Sequence, residues 1–187
     1  MSQARITTRR STGLLASRSL ERRVPLRGKL NSQLASCCIA RLLVLATEDR
    51  QKPIITYIDS PTGEASGALS VISTMNGIQS PVVTFSRGVI GGAAAVVAAH
   101  GLKGFRTAHP NAEFSLKLGA GPEIDGNTQP QESYVKMLTQ LLAKDTGRPE
   151  EEVFGWLTHG IQFSAQEAVR HGLIDSVATE PVLPKPA

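Results

Sequence analysis

Two hydrophobic periods alternate along this chain. From Asn31, a residue suited to capping a helix, Leu34, Cys38, Leu42 and Ala46 recur at every fourth position. Ala35, Ile39 and Leu43 lie beside that stripe, so the spacing predicts an amphipathic helix to about Ala46. After a polar turn over 47–52, the run 53–59 is apolar enough for a central strand of a parallel sheet. Ser60-Pro61-Thr62-Gly63 reads as a turn, and Ala65, Ala68, Leu69, Ile72 and Met75 mark a second helix. A strand over 81–85, a buried helix over 92–100 and two short strands over 104–108 and 112–118 follow, the last two split by His109-Pro110-Asn111. The stretch 119–130, rich in Gly, Pro, Asp and Asn, reads as an exposed loop. Tyr134, Leu138 and Leu141, with Val135 and Leu142, predict the next helix. Pro149 at a first helical position opens another, with Glu150, Glu151 and Glu152 at the positive end of its dipole. Ser164-Ala165-Gln166-Glu167 spells a capping box, and 173–177 a last short strand. Strands alternating with helices at this spacing imply an α/β fold.

One junction carries more than fold. The run Val82-Val83-Thr84-Phe85 breaks at Gly88, and after Gly91-Gly92 the chain resumes as an unbroken apolar segment from Ala93 to Ala99. A strand, a tight glycine turn and a buried helix form an elbow, and in α/β proteins such elbows aim side chains and helix-start N–H groups into one crevice. Nucleophile elbows hold Ser or Cys at the tip. Here the tip is glycine.

Composition narrows the partners. A chain of 187 residues with net charge +4 fits one soluble domain. The excess charge sits at the front: residues 1–30 hold Arg5, Arg9, Arg10, Arg18, Arg22, Arg23, Arg27 and Lys29 against Glu21 alone. Residues 1–16 read as a flexible basic arm, 17–30 as a short helix or an extended lead-in, and 181–187 as a tail. With aromatics at 4% of residues, stacking platforms for nucleic acid are scarce, and no run reaches the length of a membrane span. Neither nucleic acid nor membrane is an expected partner. Cys37 and Cys38, adjacent on a helix, point about 100° apart, which argues against a disulfide. They read as small buried residues of a reducing compartment, the cytosol or an organelle stroma or matrix. Neither they nor His100, His109 and His171 have metal-ligand spacing, and no cofactor is expected.

The order Tyr57-Ile58-Asp59-Ser60-Pro61-Thr62-Gly63, elbow, Pro110-Asn111, then Phe163-Ser164-Ala165-Gln166-Glu167-Ala168-Val169-Arg170-His171-Gly172-Leu173-Ile174-Asp175-Ser176 resembles the proteolytic subunit of the ATP-dependent Clp protease. The similarity runs over residues 17–176. It implies a ClpP/crotonase-like spiral of β-β-α units over 17–180, heptameric rings stacked around a proteolytic chamber, and an axial-loop role for the basic arm. Active members read Gly, Gln, Ala, Ala, Ser, Met, Gly, Ala across 88–95, so their nucleophilic serine falls on Gly92. Their histidine base falls on Lys117 and their orienting aspartate on Gly160. The oxyanion donors fall on the backbone N–H groups of Gly63 and Ala93, which need no side chain.

The resemblance therefore implies a pseudo-protease. Gly92 cannot form an acyl-enzyme, and Lys117 would serve as a base only with a strongly depressed pKa. Ser115 lies two residues from Lys117, on the same strand face, but away from the oxyanion donors. Ser60, Thr62 and Ser66 read as turn and helix-start residues, and His159 as an exposed residue at a helix end. Between Lys117 and Gly147 the chain is about six residues shorter than active members, about 9 Å if helical, which implies a shortened handle around 119–146. The aromatic pocket that docks ATPase loops falls on Ile55, Tyr57, Gly77, Thr107 and Ala178, where only Tyr57 is aromatic, so firm docking of a Clp ATPase is not expected. The expected role is a non-catalytic structural or regulatory subunit of a Clp-type ring, self-associated or mixed with an active proteolytic subunit. Two alternatives remain: a crotonase-like enzyme acting on an acyl-CoA through the retained oxyanion hole, and a homo-oligomeric scaffold without a Clp partner.

Overall fold

The computed structural model describes residues 22–118 and 132–185. The arm 1–16, the start of the lead-in to Glu21, the whole loop 119–130 and the end of the tail lie outside the described residues. Eight strands and six helices are assigned among those residues. Strands β1 (Arg23–Arg27), β2 (Ile54–Asp59), β3 (Val82–Ser86), β5 (Arg106–Ala108) and β8 (Ser176–Val177) form a five-stranded parallel sheet in the order β1-β2-β3-β5-β8. Strands β4 (Val89–Gly91), β6 (Glu113–Ser115) and β7 (Gln162–Ser164) form a second sheet, with β4 parallel and β7 antiparallel to β6. Parallel strands need crossover connections, and the helices supply them.

Helix α1 (Ser32–Glu48) begins where expected, because the Asn31 side chain accepts a hydrogen bond from the Leu34 N–H at 2.9 Å. Its buried face is Ala35, Cys38, Leu42, Leu45 and Ala46. Leu43 departs from the expected stripe at 48% exposure: spacings of three and four drift around the cylinder and bring Leu45 inward instead. Cys37 departs too. It faces solvent, while Cys38 is buried, and burial pushes the Cys38 thiol up to about 11. The lead-in is extended over 23–27, with Val24 and Leu26 buried, and Arg22 donates to the carbonyls of Leu45, Asp49, Lys52 and Pro53 behind α1.

Helices α2 (Ala65–Gly77), α3 (Ala93–Ala99), α4 (Glu132–Thr146), α5 (Glu150–His159) and α6 (Ala165–Arg170) complete the crossovers. Every residue of α3 is buried. Pro149 sits at the N-cap of α5 rather than at its first helical position, its ψ of 141° being extended. The capping box at Ser164 and Glu167 forms as the sequence predicts. On β2 and β3, Ile54, Ile58 and Val82 enter the main core beneath the helices. Ile55, Val83 and Phe85 form a smaller cluster with Tyr57 and Phe105. Alternation along a strand puts the two sets on opposite sheet faces. No helix among the described residues is long and apolar enough to cross a membrane.

Candidate functional site

The elbow contains a strand that the sequence pattern missed. Val89-Ile90-Gly91 is β4, pairing with β6 so that Gly91 lies opposite Ser115. Gly91 is sterically required: its N–H donates to the Ser60 carbonyl at 2.7 Å, and a Cβ there would lie 1.8 Å from the Pro61 oxygen. Gly92 turns the chain at φ +54°, ψ −129°, and its N–H donates to the Ser115 carbonyl at 2.7 Å. That positive φ is the sharp strand-to-helix turn of an elbow.

The loop before α2 closes over this turn. The Leu30 N–H donates to the Thr62 carbonyl and the Glu64 N–H to the Leu30 carbonyl, which holds Gly63 between them. A Cβ on Gly92 would lie 3.6 Å from the Gly63 nitrogen, and one on Gly63 would lie 3.1 Å from the Ala94 nitrogen. Among the described residues, neither the Gly63 nor the Ala93 N–H donates to a protein acceptor. Two unbonded donors thus accompany the point where a side chain on Gly92 would begin. Ser60 is no spare nucleophile: it is fully buried, and its hydroxyl donates to the Thr62 carbonyl at 3.0 Å.

Lys117 and Gly160 meet at the other side of the turn. The Leu116 N–H donates to the Ile161 carbonyl and the Leu118 N–H to that of Leu157, pinning this strand extension to the end of α5. The Lys117 carbonyl would sit 3.2 Å from a Gly92 Cβ. Its side chain, on an exposed residue, passes Gly160, where a Cβ would lie 3.0 Å from Lys117 Cβ, 3.3 Å from Cδ and 3.4 Å from Cγ. Gly160 caps α5 at φ +87°, a conformation L side chains rarely adopt. The lysine stem therefore fills the space a side chain at 160 would take.

The remaining candidates do not converge here. Among the described residues, no hydrogen bond joins Ser115 to Lys117, and the His159 ring is hydrogen-bonded to the Thr158 hydroxyl at 3.3 Å. His100 bridges Asp145 at 2.6 Å and Asn76 at 2.9 Å, and His171 stacks on Phe163. No group of three metal-ligating side chains is found among the described residues.

The candidate docking positions divide. Tyr57 lies opposite Phe85, and Phe85 opposite Thr107, across three strands. Ile55 shares that face, and Ala178 follows β8, its N–H donating to the Ala108 carbonyl. Gly77 ends α2, a helix packed into the core on the opposite face. Tyr57 makes an edge contact with Phe85 at 5.6 Å, with the guanidinium groups of Arg23 and Arg87 at 5.1 and 5.8 Å from its ring centre. Burial pushes its phenol above the ordinary value, against the pull of the Arg23 charge. These arginines were not expected from the sequence. The signal available was β1 itself, whose alternation turns Arg23, Pro25 and Arg27 to one side.

The Clp protease family model matches residues 8–181 of this chain. The ATP-dependent Clp protease proteolytic subunit of Streptococcus thermophilus is 33% identical over 167 residues, 85% of each chain. The subunits of the same name from Streptococcus sanguinis and Streptococcus salivarius are 31% and 33% identical over 165 residues, 84% of each chain.

Proposed function

Since the chain belongs to the Clp protease family, a family of serine peptidases, we propose that it is a member that has kept the fold and lost the catalysis. The observation that carries this reading is the elbow. Its turn, its two unbonded N–H groups and its buried helix are present, but Gly92 has no side chain from which to attack a peptide carbonyl. The other two positions add to the loss. A lysine stands where the family has its base, and its stem occupies the place of the side chain that would orient that base. An oxyanion hole without a nucleophile leaves a trace of rate enhancement and no working peptidase.

The function that fits is structural or regulatory: a subunit that contributes surface to a Clp-type ring, heptameric as in the family, either with copies of itself or with an active proteolytic subunit. A shortened handle would alter the contact between rings. The test has two parts. The purified chain should not hydrolyse fluorogenic peptides above the buffer rate, and native mass measured with and without a co-expressed active subunit should report a ring. Peptide turnover at the rate of an active subunit would overturn the loss of catalysis, and a monomer in both preparations would overturn the ring role.

A further inference from the structure

The segment after β8 holds an extended backbone and shows apolar side chains to solvent. Residues 181–185 form neither helix nor strand. Among the described residues, no hydrogen bond or ion pair ties residues 180–185 to the body of the protein, and Glu180 acts only by its charge, on the Tyr57 phenol. Val182 and Leu183 are 41% and 44% exposed. A lone surface aliphatic needs no explanation, but these two are adjacent and sit between prolines.

Proline sets this backbone. Pro181 and Pro184 lock φ at about −65°, and a proline ring pushes the residue before it out of the helical region. Glu180, Leu183 and Lys185 each precede a proline, so among residues 180–185 only Val182 carries neither restriction. Pairing as an added strand is blocked as well. Alternate N–H groups of an extended chain point to opposite edges, and prolines three apart remove a donor from each. What remains is the polyproline II helix, with three residues per turn, no internal hydrogen bonds and a backbone open to water. At that period Pro181 and Pro184 share one edge, and Val182 and Leu183 project from the other two. Lys185 follows, exposed, at one end. The shape is in place before any partner arrives, which avoids an ordering cost of about 1–2 kcal/mol per residue.

We propose that Pro181-Val182-Leu183-Pro184-Lys185 is a docking ligand in polyproline II form, taken up by a partner protein whose groove is walled by aromatic rings and carries a carboxylate for Lys185. The inference goes beyond the ring role and does not rest on it. Aromatic walls fit the proline rings and the two aliphatic side chains, and the carboxylate sets which way the segment lies. Neither a membrane nor a nucleic acid fits. Two aliphatic side chains are too few to hold a segment in an interface, and one ammonium group gives little grip on phosphates.

Biolayer interferometry of the full chain over immobilised WW and Src-homology 3 domains, whose grooves have this aromatic lining, tests it. At least one domain should bind with a Kd tighter than about 100 μM. Pro181→Ala and Pro184→Ala should each weaken that binding about tenfold, and Lys185→Glu about threefold. All three variants should leave the urea midpoint of the chain where it is, because the segment is not tied to the body of the protein. No binding to any domain, equal binding of the Pro184→Ala chain, or a fall in its urea midpoint would overturn the proposal. So would tighter binding once the prolines are replaced, which would mark recognition as an added strand.

Discussion

Two buried regions of this molecule treat polar chemistry in opposite ways. Around Arg106, everything is retained. The residue is 3% exposed, its guanidinium meets both oxygens of Asp175 at 2.6 and 2.9 Å, and it also donates to the carbonyls of Ala99 and Asp145. The Asp175 carboxylate accepts from the backbone N–H groups of Gly104 and Arg106 as well. Around Gly92, the backbone is held as tightly, by Ser60, Ser115 and Leu30, yet no side chain able to do chemistry points from it. The chain has the polar groups that join β5 to β8 and α4, and on the proposed reading it lacks those a peptidase would need. An eroded fold would have lost both. On the proposed reading, fold maintenance and catalysis are separated, as a ring subunit without turnover would require.

The comparison can be broken first at its strong end. Arg106→Ala removes a buried guanidinium and leaves the half-buried Asp175 without its charge partner, and should cost about 2–4 kcal/mol of stability, read from urea unfolding. A loss under about 1 kcal/mol would mean that the pair does not hold the fold. At the other end, Gly160→Ala meets both a positive φ and the Lys117 stem, and should cost about 1–3 kcal/mol. Adding Lys117→Gly removes the stem and not the φ, so it should recover part of that cost. Full recovery would show that the Gly160 backbone is unstrained.

Acid should separate the regions further. Burial tends to raise the Asp175 carboxyl, but the Arg106 hydrogen bonds and charge outweigh it and hold the pKa below the ordinary carboxylate value. A carboxylate with a depressed pKa contributes stability that is present above its unfolded value and lost as pH falls through the folded one. Wild-type stability should therefore fall from roughly pH 4 downward, and Arg106→Ala should flatten that dependence. An unchanged slope would assign acid sensitivity elsewhere. The smallest effect concerns Lys117 itself. Lys117→Met keeps a stem of similar shape without the charge and should shift stability by less than about 0.5 kcal/mol. A larger loss would give the ammonium group a role that the site as described lacks.

Long elements were legible because their periods are long. Seventeen residues of α1 and six of β2 each repeat one pattern often enough to fix type and burial. Val89-Ile90-Gly91 is too short for a period, so β4 read as part of the turn, although it is the strand that places Gly92 beside Ser115. The candidate positions Gly92, Lys117 and Gly160 could be set out from the family resemblance. The packing of the Lys117 stem against Gly160 could not, since 43 positions separate the two and only the fold brings them together. The same holds for Arg106 and Asp175, 69 positions apart, and for the arginines that β1, α1 and the turn after β3 bring around Tyr57. Local pattern fixes elements, and charge pairing across the sheet follows from the fold.

The central claim is that this frame holds no serine nucleophile, and intact-protein mass after exposure to a fluorophosphonate tests it most directly. The chain should show no adduct while an active Clp proteolytic subunit in the same tube is labelled. A stoichiometric adduct on any serine of this chain, Ser115 or Ser60 above all, would contradict the account.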